Sequence, residues 1–187
     1  MNKSTSIENP NIILIGMPGS GKSTIGEHLH KITHLPLLDI DEHIERHERK
    51  SVAKIIQKIG DEAFLNLEAK LVQEINPQGM IISCSGSVPL RQEAMNHLRK
   101  TGTSIYIDVP IAIIASRLHR MKVDRIIGMN GRPPEALEEV LTDRLPFYNR
   151  SYDYDFICPD DVSKDEKVQR FVDFMKTTNP NLLPNIK

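Results

Sequence analysis

Ile12-Ile13-Leu14-Ile15-Gly16-Met17-Pro18-Gly19-Ser20-Gly21-Lys22-Ser23-Thr24 reads as a buried strand running directly into a phosphate-binding turn. Four apolar residues, mostly β-branched, come first. Gly16 to Ser23 then fits G-x-x-x-x-G-K-[ST], the P-loop pattern. Ile25, Leu29 and Ile32 follow at helical spacing and are expected on one buried face. Phosphate chemistry needs this order. The glycines let the backbone curl until successive N–H groups point inward at phosphate oxygens. The helix N-terminus adds partial positive charge. Gly19, Ser20, Gly21, Lys22, Ser23 and Thr24 are therefore the expected nucleotide-binding residues. Lys22 can reach the β- and γ-phosphates, and the Ser23 hydroxyl can ligate Mg²⁺.

Moving outward, strand and helix signals alternate, which predicts an α/β domain with a mostly parallel sheet. Strands are expected at 12–15, 36–40, 80–84, 104–109 and 155–158. Helices are expected near 22–33, 41–48, 51–59, 61–75, 89–100, 110–119, 134–150 and 163–177. The segment 121–134 carries three basic residues, two glycines and paired prolines, and reads as a mobile loop with little to pack in a core. Residues 1–10 are polar, and the Asn- and Pro-rich end from 178 to 187 is expected to be disordered.

A chain of 187 residues is expected to form one domain with a substantial core. Its net charge is −1, with acids and bases interspersed and no basic block or aromatic–basic interleaving of the kind nucleic acid requires. No apolar run approaches membrane-spanning length, and the first ten residues lack the apolar core of a signal peptide. Cys84 and Cys158 belong to no C-x-x-C pair or zinc set. These features predict a cytoplasmic protein with reduced cysteines that binds neither membrane nor nucleic acid; a monomer is the accompanying expectation.

Leu37-Leu38-Asp39-Ile40-Asp41 ends the second strand with two carboxylates. Period-two alternation places both on one face of the strand end. Ligands of open α/β sheets bind outside the carboxyl ends of the strands. One carboxylate beside Mg²⁺ and one beside an acceptor hydroxyl is a sensible division for a phosphotransferase. Helix N-capping by Asp41 is the competing explanation. Taken alone the two weigh equally, and the adjacent P-loop favours the first.

The ordered set of motifs resembles the shikimate kinase family of small P-loop kinases, with a fold like that of the nucleoside-monophosphate kinases. The resemblance runs from about Ile12 to Val172. It rests on the P-loop, Asp39-x-Asp41, the loop after the third strand, Ile105-Tyr106-Ile107-Asp108-Val109-Pro110, Arg117-Leu118, Arg125, Arg132-Pro133 and Arg144-x-Pro146-x-Tyr148. It implies a P-loop three-layer sandwich: five parallel strands in the order 2-3-1-4-5, helices on both faces and a mobile lid. It also implies ATP with Mg²⁺ and phosphorylation of a ring hydroxyl of shikimate, in aromatic amino acid biosynthesis. Asp39 would hold Mg²⁺ through water, and Asp41 would orient or deprotonate the acceptor hydroxyl. Arg132 would swing in with the lid to neutralise the transferring phosphoryl group. Arg125 would lie against adenine, and Arg144 would pair with the substrate carboxylate.

Two departures stand out. The family's G-E-x-x-F-R-x-x-E reads Gly60-Asp61-Glu62-Ala63-Phe64-Leu65-Asn66-Leu67-Glu68, so Leu65 replaces a substrate-binding arginine while Glu68, its implied partner, remains. The family's triple glycine reads Ser85-Gly86-Ser87. Leu65, Ser85, Gly86 and Ser87 are therefore expected in the acceptor pocket with Asp41 and Arg144. An ATP-dependent kinase of shikimate is the leading expectation. A same-fold kinase of another small anionic hydroxylated acceptor, such as a gluconate-like sugar acid, is the alternative. A nucleotide-binding regulatory module without turnover is a third reading, against which the presence of Asp41 and Arg132 argues.

Overall fold

The computed structural model describes residues 9–119, 126–160 and 162–182. Five strands form one parallel sheet in the order β2-β3-β1-β4-β5. They are β1 (Asn11–Ile15), β2 (Leu37–Asp39), β3 (Ile81–Ser83), β4 (Gly102–Asp108) and β5 (Tyr154–Ile157). Ile12, Ile13, Leu14 and Ile15 are all fully buried, so both faces of the central strand are covered. Each such side chain contributes about 1.5–3 kcal/mol of burial. At the opposite end of the sheet, the buried Asn11 amide donates to the carbonyls of Pro77 and Thr101 and accepts the Met80 N–H. One side chain thereby ties β1 to the lead-ins of β3 and β4.

The helices are α1 (Lys22–Thr33), α2 (Ile40–Glu48), α3 (Val52–Ile59), α4 (Asp61–Glu74), α5 (Gln92–Arg99), α6 (Ile111–Leu118), α7 (Leu137–Thr142), α8 (Leu145–Tyr148) and α9 (Lys164–Thr178). Among the described residues, no helix is long and apolar enough to cross a membrane. The two cysteines are free and buried.

Several local expectations are corrected. Ile32 does not share the buried face of α1; it is 40% exposed, and Gly26 and Thr33 pack inward beside Ile25 and Leu29. β2 stops at Asp39, whose side chain caps α2, so Asp39 and Asp41 are related by a helix start and not by strand alternation. The helix expected over 134–150 is a 3₁₀ turn (Pro134–Ala136) followed by α7 and α8, broken at Asp143–Arg144. Pro146 sits in the first turn of α8, where a missing N–H costs nothing. At the C-terminal side, a 3₁₀ turn (Pro180–Leu182) buries Leu182, and the rest of the expected tail, 183–187, lies outside the described residues.

The register sets up the site. Asp39 pairs with Ser83, and Leu14 pairs with Ser83 and Ile105. The carboxyl ends of β2, β3 and β1 therefore finish together. The P-loop, Asp41 and Ser85–Ser87 leave the sheet at one edge.

Candidate active site

A cavity of about 310 Å³ opens at this edge. Gly21 starts α1 at φ +98°, a left-handed conformation that glycine adopts without strain, and no side chain caps the helix. The α1 amides thus face the cavity side of the loop as an anion cradle. The Lys22 ammonium is folded back onto its own loop, donating to the carbonyls of Gly16 at 2.8 Å and Met17 at 3.0 Å. Gly19, Gly21, Lys22, Ser23 and Thr24 line the cavity. Ser20 faces a second cavity behind the loop.

The Ser23 hydroxyl donates to Asp39 Oδ2 at 3.2 Å, while Asp39 Oδ1 accepts the Glu42 N–H at 3.3 Å. Two hard oxygen donors held side by side next to a phosphate cradle fit Mg²⁺, which takes one or two protein ligands and completes its octahedron with phosphate and water. Asp39 thus caps α2 with one oxygen and leaves the other beside Ser23, where it fits a metal ligand. Asp41, in the first turn of α2, lines the same cavity.

The facing wall of the cavity is built by the β3 loop. A Cβ on Gly86 would lie 2.6 Å from Pro18, so this position must be glycine for the loop to reach the P-loop. Ser85 and Ser87 flank it and line the cavity. Both hydroxyls donate to Oε1 of Glu68 on α4, Ser87 at 2.8 Å and Ser85 closer still. Glu68 is fully buried, and its Oε2 has no hydrogen-bond partner among the described residues. Burial pushes its carboxyl up to about 7; the two serine bonds pull the other way, Asp41 adds to the rise and Arg144 opposes it.

Arg144 stands at the break between α7 and α8 and is 4% exposed. Its guanidinium lines the cavity and donates to the carbonyls of Gly86 at 3.2 Å and Ile127 at 2.5 Å. Burial lowers its pKa from the ordinary arginine value. One turn on, the buried Tyr148 hydroxyl donates to the Gly86 carbonyl at 2.6 Å. Tyr148 belongs to the Arg144-x-Pro146-x-Tyr148 pattern, but its role as a brace of the β3 loop needs the fold to be seen.

Leu65 is placed elsewhere than expected. It is buried in the hydrophobic core and does not line the cavity. Val52, Cys84, Ile126 and Ile127 do line it, and no chemical pattern in the sequence marks them.

The 121–134 segment splits in two. Residues 121–125, and with them Arg125, lie outside the described residues. Ile126, Ile127 and Met129 are buried, contrary to the expectation of a loop with little to pack. Asp61, at the start of α4, accepts the Gly128 N–H at 2.7 Å. Exposure begins at Asn130. Arg132 lies away from the cavity lining and pairs with Glu139 of α7 at 2.9 Å.

The second cavity, also about 310 Å³, shares Gly21 and Thr24 with the first. Arg117 lines it, donating to the Gly19 carbonyl at 2.9 Å and pairing with Asp160. Its position beyond the phosphate loop suits the nucleoside part of a nucleotide.

The family model for shikimate kinase matches residues 18–176. Threonine synthase-like 1 of Mus musculus is 35% identical over 171 residues, which are 91% of this chain and 23% of that protein. The chain thus spans under a quarter of the length of that relative. Shikimate kinase of Clostridium botulinum (strain ATCC 19397 / Type A) is 32% identical over 143 residues, 76% of this chain and 84% of that one. Among solved structures, shikimate kinase from Acinetobacter baumannii in complex with shikimate has a TM-score of 0.80 at 23% identity, covering 91% of this chain and 94% of that one. That likeness establishes the shared fold.

Proposed function

The chain belongs to the shikimate kinase family, and we propose that it is an ATP-dependent kinase of a small hydroxylated acid, with shikimate as the leading acceptor. One observation carries this reading: the phosphate loop and the acceptor-side groups Asp41, Ser85, Ser87 and Arg144 line one and the same cavity. A nucleotide's γ-phosphate and an acceptor hydroxyl would meet there.

In this mechanism Lys22 leaves the Gly16 and Met17 carbonyls for the β- and γ-phosphate oxygens. Asp41 accepts the acceptor hydroxyl's hydrogen bond and aligns its oxygen with the γ-phosphorus. A new O–P bond forms as the bond to ADP breaks, and the hydroxyl proton passes to Asp41 or to solvent. Mg²⁺ bound with ATP would be held by Ser23 and Asp39 and would offset charge on the phosphate oxygens. Arg132 would leave Glu139 to reach the phosphoryl group. That exposed pair is worth only about 0–1 kcal/mol, so little opposes the move. Arg144 is the cation for the acceptor's carboxylate.

Leu65 in the core and serines in place of two glycines favour a second reading, a kinase of another hydroxy acid. ADP release is the test, measured against shikimate, gluconate and related hydroxy acids and polyols. Mg²⁺-dependent release that requires an acceptor supports a kinase, and the best acceptor separates the two readings. No release with any acceptor would point to a nucleotide-binding module without turnover.

A further inference from the structure

Leu65 stands where the family resemblance implies an arginine beside Glu68, and the β3 loop serves one oxygen of that carboxyl instead. Glu68 is reached by two hydroxyls from a loop that lies 17 and 19 residues away in sequence. Each serine hydroxyl has one proton and two lone pairs. The protons are committed to Glu68 Oε1, the two oxygens lie 3.2 Å apart, and one lone pair of Ser85 accepts the Ser87 N–H at 3.4 Å, which leaves the remaining lone pairs of the two oxygens. Ser85 and Ser87 line the cavity, whereas Glu68 stands behind them. What the cavity meets at this wall is therefore lone pairs, backed by a buried acid. A carboxylate can only accept hydrogen bonds and is repelled here; a substrate hydroxyl can donate. Arg144 remains the cation of the acceptor side, and Asp41 adds a further acid beside the same wall.

We propose that Glu68 orients Ser85 and Ser87 into an acceptor-only wall that selects substrates presenting hydroxyl groups, and not a carboxylate, at that face of the cavity. The inference rests on the reading of this cavity as the acceptor site. Ser85 and Ser87 touch the substrate, and Glu68 acts through them as a positioning residue. An ordinary neutral hydrogen bond corresponds to roughly two- to tenfold in affinity, which sets the size of the expected effect.

The test is calorimetric binding to the full chain at pH 8 with ADP and Mg²⁺ present. The probes are two matched pairs: shikimate and the alcohol obtained by reducing its carboxylate, and gluconate and glucitol. Affinities are measured for the parent, for Ser87→Ala and for the double change Ser85→Gly, Ser87→Gly. The double variant removes both hydroxyls without adding a charge, so it remains informative if Ser87→Ala does not fold. The expected result is that the alcohol-to-acid affinity ratio falls at least threefold in each folded variant relative to the parent. An unchanged or rising ratio overturns the proposal, as does failure of the parent to bind any of the four probes. ADP release measured in parallel keeps the two conclusions apart: selective binding without turnover would sink the kinase assignment and leave the wall standing.

Discussion

Replacing Glu68 by glutamine isolates the energetic consequence of its burial. The carboxyl is fully buried, and its pKa stands at about 7 against an ordinary 4.5. In the window between those values the folded protein keeps a proton that the unfolded chain has released. Stability therefore falls as pH rises through the window, and the cost is complete above about 7. At about 1.4 kcal/mol per pH unit, the whole interval corresponds to about 3 kcal/mol. Glutamine carries no such cost, and its amide oxygen can still accept from Ser85 and Ser87. Urea unfolding of the parent and Glu68→Gln at pH 5 and pH 8 gives the difference in which all other titrations cancel. That difference should move by about 2–3 kcal/mol in favour of the variant at pH 8, roughly 4–12 °C in Tm for a chain of this size. A difference that stays constant within about 0.5 kcal/mol would show that Glu68 ionises freely and that the serine pair does not lie over a desolvated acid.

Lys22→Ala should abolish acceptor-dependent ADP formation while circular dichroism and Tm stay near the parent's, because the loop's shape comes from its glycines and the lysine only bonds back onto it. Leu65→Arg places a guanidinium one turn from Glu68, whose Oε2 has no partner among the described residues. Thermal unfolding should show Tm lowered because a core leucine is lost. Asp61→Ala removes the acceptor of the Gly128 N–H. Hydrogen exchange should then rise at 126–129 and stay unchanged in β1 and β3. Tyr148→Phe should destabilise the fold by about 1 kcal/mol by denaturant titration, since Arg144 still serves the Gly86 carbonyl.

Much of the phosphate half was legible in the sequence because its parts are contiguous. Strand, loop and helix follow one another in a single stretch, and backbone geometry links them without help from the rest of the chain. The carboxylate pair was found for a partly wrong reason: both aspartates reach the cavity, but through a helix that begins at Ile40. The acceptor half was harder to read. Glu68, Ser85 and Ser87 meet only because α4 packs beneath the β3 loop, and no local periodicity records that contact. Leu65 looked like a new pocket wall, yet an apolar side chain one turn before a buried acid gained more from the core than from a polar cavity. Ile126 and Ile127 were hidden by the glycines, prolines and arginines around them, whose composition spoke for the segment as a whole.

The guanidinium of Arg144 is a rigid plane, and it grips two carbonyls on separate segments: Gly86 on the β3 loop and Ile127 ahead of α7. Asp61 fastens the second of these segments from the other side through Gly128. That segment is therefore strutted between the floor and the wall of the cavity. Residue 127 cannot shift without dragging on the loop that carries Ser85 and Ser87, and a ligand that pulls Arg144 toward itself slackens the strut. A displacement at the cavity wall and one at residues 126–129 are thereby mechanically coupled.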